Sequence, residues 1–125
     1  MIVAVGIDIV EISRLEETIG RRGHRFCERV FTQSEREYCE RRASRFSSYA
    51  ARFAAKEAVM KALGTGWGDG VCWHDIEVSK EETGPPTLKL GGRALEIFHK
   101  MGARKIHLSL THSRDIAMAQ VIFES

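Results

Sequence analysis

Large apolar residues alternate with small or polar ones from the start of the chain. Val3, Val5, Ile7 and Ile9 fall on one face of an extended segment, and Ala4, Gly6, Asp8 and Val10 on the other. This predicts a strand over Met1–Val10 with a carboxylate set in an apolar stretch. The period then becomes helical. Ser13 and Glu16 have the spacing of a capping box, opening a short helix through Leu15 and Ile19 that stops at Gly20 or Gly23. Phe26, Val30 and Phe31 predict another helical turn or two, and Thr32 with Glu35 a second capping box for a helix through Tyr38. The longest helical pattern is Ser47–Leu63, with Tyr49, Phe53, Ala54, Met60 and Leu63 on its apolar face. Gly64-Thr65-Gly66-Trp67-Gly68-Asp69-Gly70 ends it. Short strands follow at Ile76–Lys80 and Thr87–Leu90, around a turn at Gly84-Pro85-Pro86. Leu95, Phe98 and Met101 mark a helix closed by Gly102, and Ile106–Thr111 with Ile116–Phe123 form an antiparallel hairpin. Strands do not alternate regularly with helices, so the expected class is α+β: antiparallel strands packed with one long helix and several short ones.

Composition narrows the picture. The chain has 125 residues, 43% hydrophobic and 29% charged, which fits one domain over residues 1–125 and argues against disorder. No apolar run approaches the ~20 residues of a membrane span. The first strand lacks the basic lead and small-residue cleavage site of a signal peptide. A cytoplasmic protein is expected. Cys27, Cys39 and Cys72 have neither metal-ligand nor disulfide-framework spacing, so free, mostly buried thiols are expected. The net charge of +2 conceals an imbalance, because residues 21–52 hold nine arginines against four glutamates. Arginine forks suit phosphate and carboxylate groups. The segment is either a solvated helix surface or the footprint of an acidic or phosphorylated partner.

Asp8 and Glu57 are the first candidates for chemistry. Phe53, Glu57, Met60 and Lys61 lie along one helical stripe, which pairs Glu57 with Lys61 on the side where Phe53 seeks burial. Two half-buried carboxylates brought together need a cation or a shared proton. Magnesium would suit them, since it takes one or two protein carboxylates and completes its octahedron with water and phosphate oxygens. On spacing alone, the simpler reading of Glu57 and Lys61 is an ordinary helix salt bridge. The glycines after the helix do not make a phosphate-binding loop, because that motif opens a helix instead of closing one. His112 stands at the hairpin tip between Thr111 and Ser113, a place where a histidine is more often a turn residue than a catalyst.

The order of these features resembles the 4′-phosphopantetheinyl transferases, and among them the small holo-[acyl-carrier-protein] synthases. Gly6-Ile7-Asp8, then Phe53-Ala54-Ala55-Lys56-Glu57-Ala58 with Lys61 and Gly64-Thr65-Gly66, then Ser109-Leu110-Thr111-His112-Ser113 carry the resemblance, from residue 2 to about residue 123. It implies a phosphopantetheinyl transferase domain, used in fatty acid biosynthesis, that moves phosphopantetheine from coenzyme A to a serine of apo acyl carrier protein. It further implies magnesium held by Asp8 and Glu57, with Glu57 and Lys61 as catalytic residues and Lys61 on the diphosphate. Arg52, His112 and Ser113 would hold the nucleotide end and its 3′-phosphate, with Gly64 and Gly66 also at the coenzyme. The serine proton would go to Glu57 or to a metal-bound water. Arg14, Arg21, Arg22 and Arg25 would dock the acidic carrier protein. Arg41, Arg42 and Arg45 have no motif and could reach the 3′-phosphate or lie in solvent. The implied assembly is a homotrimer with active sites between subunits, with no nucleic acid and no membrane among its partners. The alternative is a small non-catalytic module whose arginines bind RNA or an acidic protein. That alternative has the charge but lacks an aromatic RNA-binding strand, helix-turn-helix or zinc spacing, and it leaves Asp8 and Glu57 without a purpose.

Overall fold

The computed structural model describes residues 1–66 and 68–125; Trp67, inside the glycine-rich stretch, lies outside the described residues. β1 (Ile2–Glu11) is followed by four helices: α1 (Ile12–Arg22), α2 (His24–Val30), α3 (Gln33–Glu40) and the 19-residue α4 (Arg45–Leu63). A 3-10 turn at Trp73–Asp75 leads into β2 (Ile76–Ser79) and β3 (Thr87–Leu90). α5 (Gly92–Lys100), β4 (Lys105–His112) and β5 (Ile116–Glu124) complete the chain. The α+β expectation holds.

Two antiparallel sheets form, one in the order β1-β5-β4 and the other a β2-β3 pair. β1 therefore pairs with the last strand, and Ser125 N donates to the Met1 carbonyl at 2.9 Å. α4 lies across the inner face of the larger sheet. Its Ala54, Ala55, Ala58 and Ala62 are buried with Ala119, Val121 and Phe123 of β5 in one apolar cluster. A second cluster joins α1, α2 and α3 to the first half of α4 through Leu15, Ile19, Val30, Phe31, Cys39 and Tyr49.

Sequence signals at the helix ends were obeyed unevenly. Thr32 caps α3 as expected: its hydroxyl accepts from Glu35 N at 3.3 Å and Glu35 Oε1 accepts from Thr32 N at 2.8 Å. The Ser13–Glu16 box does not form. α1 begins at Ile12, without a side-chain cap, because β1 runs straight into it and Ile12 N donates to the Asp115 carbonyl at 2.9 Å. α1 runs to Arg22 and ends at Gly23, whose φ of 66° suits a residue without a side chain. α4 starts two residues before the expected Ser47 and ends at Gly64 in the left-handed conformation. Cys27 and Cys39 are buried free thiols and Cys72 an exposed one. Burial pushes the Cys39 thiol up to about 12.

Burial reverses an intuition about β1. The face carrying Gly6 and Asp8 turns toward α4, while Val5, Ile7 and Ile9 remain about half exposed, at 52%, 50% and 55%. Opposite them on β5 stand Ile122, Gln120 and Met118. The outer face of β1 and β5 is thus an apolar patch with one amide near its middle, bordered on β4 by His107, Ser109 and Thr111.

Candidate active site

Asp8 sits mid-strand on the inward face, and α4 brings Glu57 and Lys61 to it. Lys61 Nζ donates to Asp8 Oδ1 at 3.0 Å and to the Ile7 carbonyl at 2.9 Å. The lysine reaches across 53 residues of sequence to make this contact. Asp8 and Glu57 line one cavity of about 360 Å³ with Arg14, Thr18, Phe26 and Phe53 among its walls. Phe53 stacks on Trp73 at 5.3 Å between ring centroids and lies 6.4 Å from Phe26, giving the cavity an apolar side beside Asp8, Glu57 and a third acidic residue, Glu11.

The donor set bears on which cation could bind. Among the described residues no group of three or more His, Cys, Asp or Glu side chains is arranged to hold a metal. Zinc-like sites demand such a set. Magnesium does not, since one or two carboxylates anchor it while water and phosphate oxygens complete the octahedron. Asp8 and Glu57 on one open cavity fit that requirement, and the Lys61 ammonium shows that Asp8 accepts a cation.

Arg52 and His112 meet at a different cavity, of about 220 Å³, lined also by Tyr38, Arg42, Ser48 and Lys80. The Arg52 guanidinium lies 4.0 Å above the Tyr38 ring and its Nη1 donates to the Ser48 carbonyl at 3.4 Å. Its buried Nε has no hydrogen-bond partner among the described residues. An orphaned cationic donor at a cavity wall is what an anion would satisfy. Arg42 also lies over Tyr38, at 4.9 Å, so it belongs to this cavity, whereas Arg45 is engaged by Glu40 at 2.8 Å. Arg41 is exposed. In the sequence Tyr38 and Lys80 mark only the ends of a helix and a strand, and the arginine surplus is the one hint of an anion site nearby.

The two cavities are not one. Residues 52 and 57 of a helix project about 140° apart around its axis, so Arg52 and Glu57 look to different sides of α4. Gly64 and Gly66 are exposed in the loop one turn beyond Lys61, and Ser113 is exposed on the hairpin turn, where its backbone N donates to the Ile116 carbonyl at 2.8 Å. Arg14, Arg21, Arg22 and Arg25 are all exposed, and among the described residues none makes an ion pair.

One residue of the Lys-Glu-Ala motif is structural. Lys56 is fully buried and donates to Glu35 Oε1 at 2.9 Å, to the Trp73 carbonyl at 3.1 Å and to the Ile76 carbonyl. Burial pulls its pKa down, and the Glu35 carboxylate opposes that shift.

An α+β chain with a carboxylate–lysine cluster between its first strand and its long helix has a known counterpart. The model of the 4′-phosphopantetheinyl transferase superfamily matches residues 4–121, and the chain belongs to that superfamily. Within it, the chain is 50% identical to the holo-[acyl-carrier-protein] synthase of Solibacter usitatus over 125 residues, the full length of both. It is similar in structure to the holo-[acyl-carrier-protein] synthase of Neisseria meningitidis, with a TM-score of 0.88, 31% identity and 100% of each chain covered. The enzyme of Helicobacter pylori, solved in complex with coenzyme A, gives a TM-score of 0.83 at 33% identity, covering 96% of this chain and 99% of that one.

Proposed function

We propose that this chain transfers 4′-phosphopantetheine from coenzyme A to a serine of an apo acyl carrier protein, in the cytoplasm and for fatty acid biosynthesis. The reading rests chiefly on one observation: Lys61 meets Asp8 at 3.0 Å beside a cavity that Glu57 also lines. The serine oxygen bonds to the β-phosphorus of coenzyme A, and the bond from that phosphorus to the bridging oxygen breaks. Adenosine 3′,5′-bisphosphate leaves, and the serine proton passes to a base at the cavity. Asp8 and Glu57 would hold magnesium, which when bound supplies charge neutralisation on the diphosphate. Lys61 is exposed enough to turn from Asp8 toward the departing phosphate oxygen and stabilise its growing charge. Arg52, Arg42 and His112 would take the 3′-phosphate.

The separation of the two cavities favours an assembly. A homotrimer would set the Arg52–His112 cavity of one subunit against the Asp8 cavity of the next, enclosing both ends of coenzyme A. The exposed apolar face of β1 and β5 supports that arrangement, because a patch of this kind marks an association surface. Arg14 shares the cavity of Asp8, and Arg21, Arg22 and Arg25 extend the positive surface along and beyond α1 for an acidic carrier protein.

The test is incubation with coenzyme A, magnesium and an apo carrier protein, followed by mass measurement. A gain of one phosphopantetheine on the carrier supports the proposal; an unmodified carrier sinks it and leaves the non-catalytic module. Sedimentation tests the assembly separately. Ile7→Glu should release subunits and abolish transfer, whereas a fully active wild-type monomer would refute the trimer.

A further inference from the structure

Glycine is a poor choice for the interior of a strand, yet Gly6 occupies the middle of β1 with no positive φ to require it. The reason is contact. A Cβ at residue 6 would lie 1.9 Å from the Ala58 carbonyl oxygen, 2.8 Å from its carbon and 3.1 Å from Ala62 N. All three are backbone atoms at one rung of the α4 ladder, where the carbonyl of residue i faces the amide of residue i+4. No rotamer change could clear them. Glu57 and Lys61 each precede one of these two alanines, and Asp8 lies two residues beyond Gly6 on the same strand face. The point where strand and helix touch is therefore within one or two residues of every member of the carboxylate–lysine cluster.

We propose that Gly6 is a positioning residue: its missing side chain sets the gap between β1 and α4, and so the spacing of Asp8 against Glu57 and Lys61. The inference rests on the transfer reaction proposed above. Restoring even the tightest real contact distance of 3.0 Å would drive strand and helix apart by about 1 Å, a displacement that can cost ~100-fold in rate when it falls on reacting groups. It is also half the length of a magnesium–oxygen bond of ~2.0–2.1 Å.

A length-compensation experiment separates positioning from simple packing. Gly6→Ala and Asp8→Glu are made singly and together, since glutamate extends the carboxylate by about one C–C bond, ~1.5 Å. Folding is checked by circular dichroism. Coenzyme A binding in magnesium buffer, with no carrier protein present, is read by calorimetry, and transfer by mass. Each single variant should weaken coenzyme A binding and slow transfer, Gly6→Ala by ~100-fold in rate. The double variant should bind coenzyme A more tightly than Gly6→Ala alone, by about threefold or more, a non-additivity expected only of coupled positions. Losses that simply multiply, or a Gly6→Ala protein with unchanged coenzyme A binding, would overturn the inference. Should Gly6→Ala not fold, the same comparison is made with Ala62→Ser, which adds a single atom at the helix residue whose amide lies beside the same contact. A wild-type protein that neither binds coenzyme A nor modifies a carrier would instead overturn the proposed function itself.

Discussion

Helix α4 carries two lysines that each meet a carboxylate from elsewhere in the chain, and the two pairs have opposite characters. Lys56 and Glu35 have fully buried side chains; Lys61 keeps 56% of its side chain exposed and Asp8 17%. All three donors of Lys56 are taken, and Glu35 also accepts from Thr32 N and from Val78 N at 2.7 Å. Lys61 has two protein acceptors and open solvent beside them. The same chemical pair is thus a fixed rivet on one side of the helix and a movable contact on the other. Burial and saturation make the difference, not residue type.

The largest effect should come from breaking the rivet. Lys56→Met leaves a buried carboxylate without its cation, and denaturant unfolding should record a loss of ~3–5 kcal/mol. Adding Glu35→Gln removes the stranded charge and should restore part of that loss. A Lys56→Met protein as stable as wild type would erase the contrast between the pairs. Next comes the movable pair. Lys61→Met should change stability by no more than ~1 kcal/mol, as for other exposed ion pairs. Its transfer rate should nevertheless fall by ~10²–10³, the usual result of deleting a group that stabilises developing charge. Unfolding curves and carrier-protein modification, measured on one preparation, separate the two outcomes.

The smallest effect concerns the surroundings of the rivet. Glu77 Oε2 accepts from the Thr32 hydroxyl at 2.6 Å and the Ser34 hydroxyl at 2.8 Å, and these bonds hold its pKa below the usual 4.5. A carboxylate depressed in the folded state adds stability above its unfolded pKa and loses it as pH falls through the folded one. Wild type should therefore weaken below pH 4.5, and Glu77→Gln should show a shallower decline in urea midpoints over that window. Parallel declines in the two proteins would discount these bonds.

Much of this contrast was hidden in the sequence for physical reasons. The Thr32–Glu35 box, the glycine stop after Leu63 and the β4–β5 alternation were legible because each is a local signal. The Ser13 box was equally local and failed, because a tertiary bond from Ile12 to Asp115 satisfied the helix start instead. Helical spacing suggested Lys61 as a partner for Glu57, but Lys61 reaches Asp8, and no local pattern reports a contact across 53 positions. Glu35 has the spacing of a cap, and nothing local in the sequence shows that it is also the counter-ion of Lys56. The outward turn of Val5, Ile7 and Ile9 contradicts the rule that large apolar residues go inside. That rule fails where a strand must press a glycine against a helix.

The pairing of β1 with β5 has a consequence for how the chain folds. In chain order β1 precedes the other described elements, and β5, its sheet neighbour among the described residues, follows them all. α4 can nucleate from its own residues, but β1 must wait for a closure spanning nearly the entire chain. The entropy of such a loop grows only logarithmically with its length, yet distant pairings slow folding markedly. The strand that carries Asp8 can rest on α4 early, but it gains its sheet partner only once β5 pairs alongside. A chain lacking β5 should leave Asp8 on a strand with no sheet partner among the described residues.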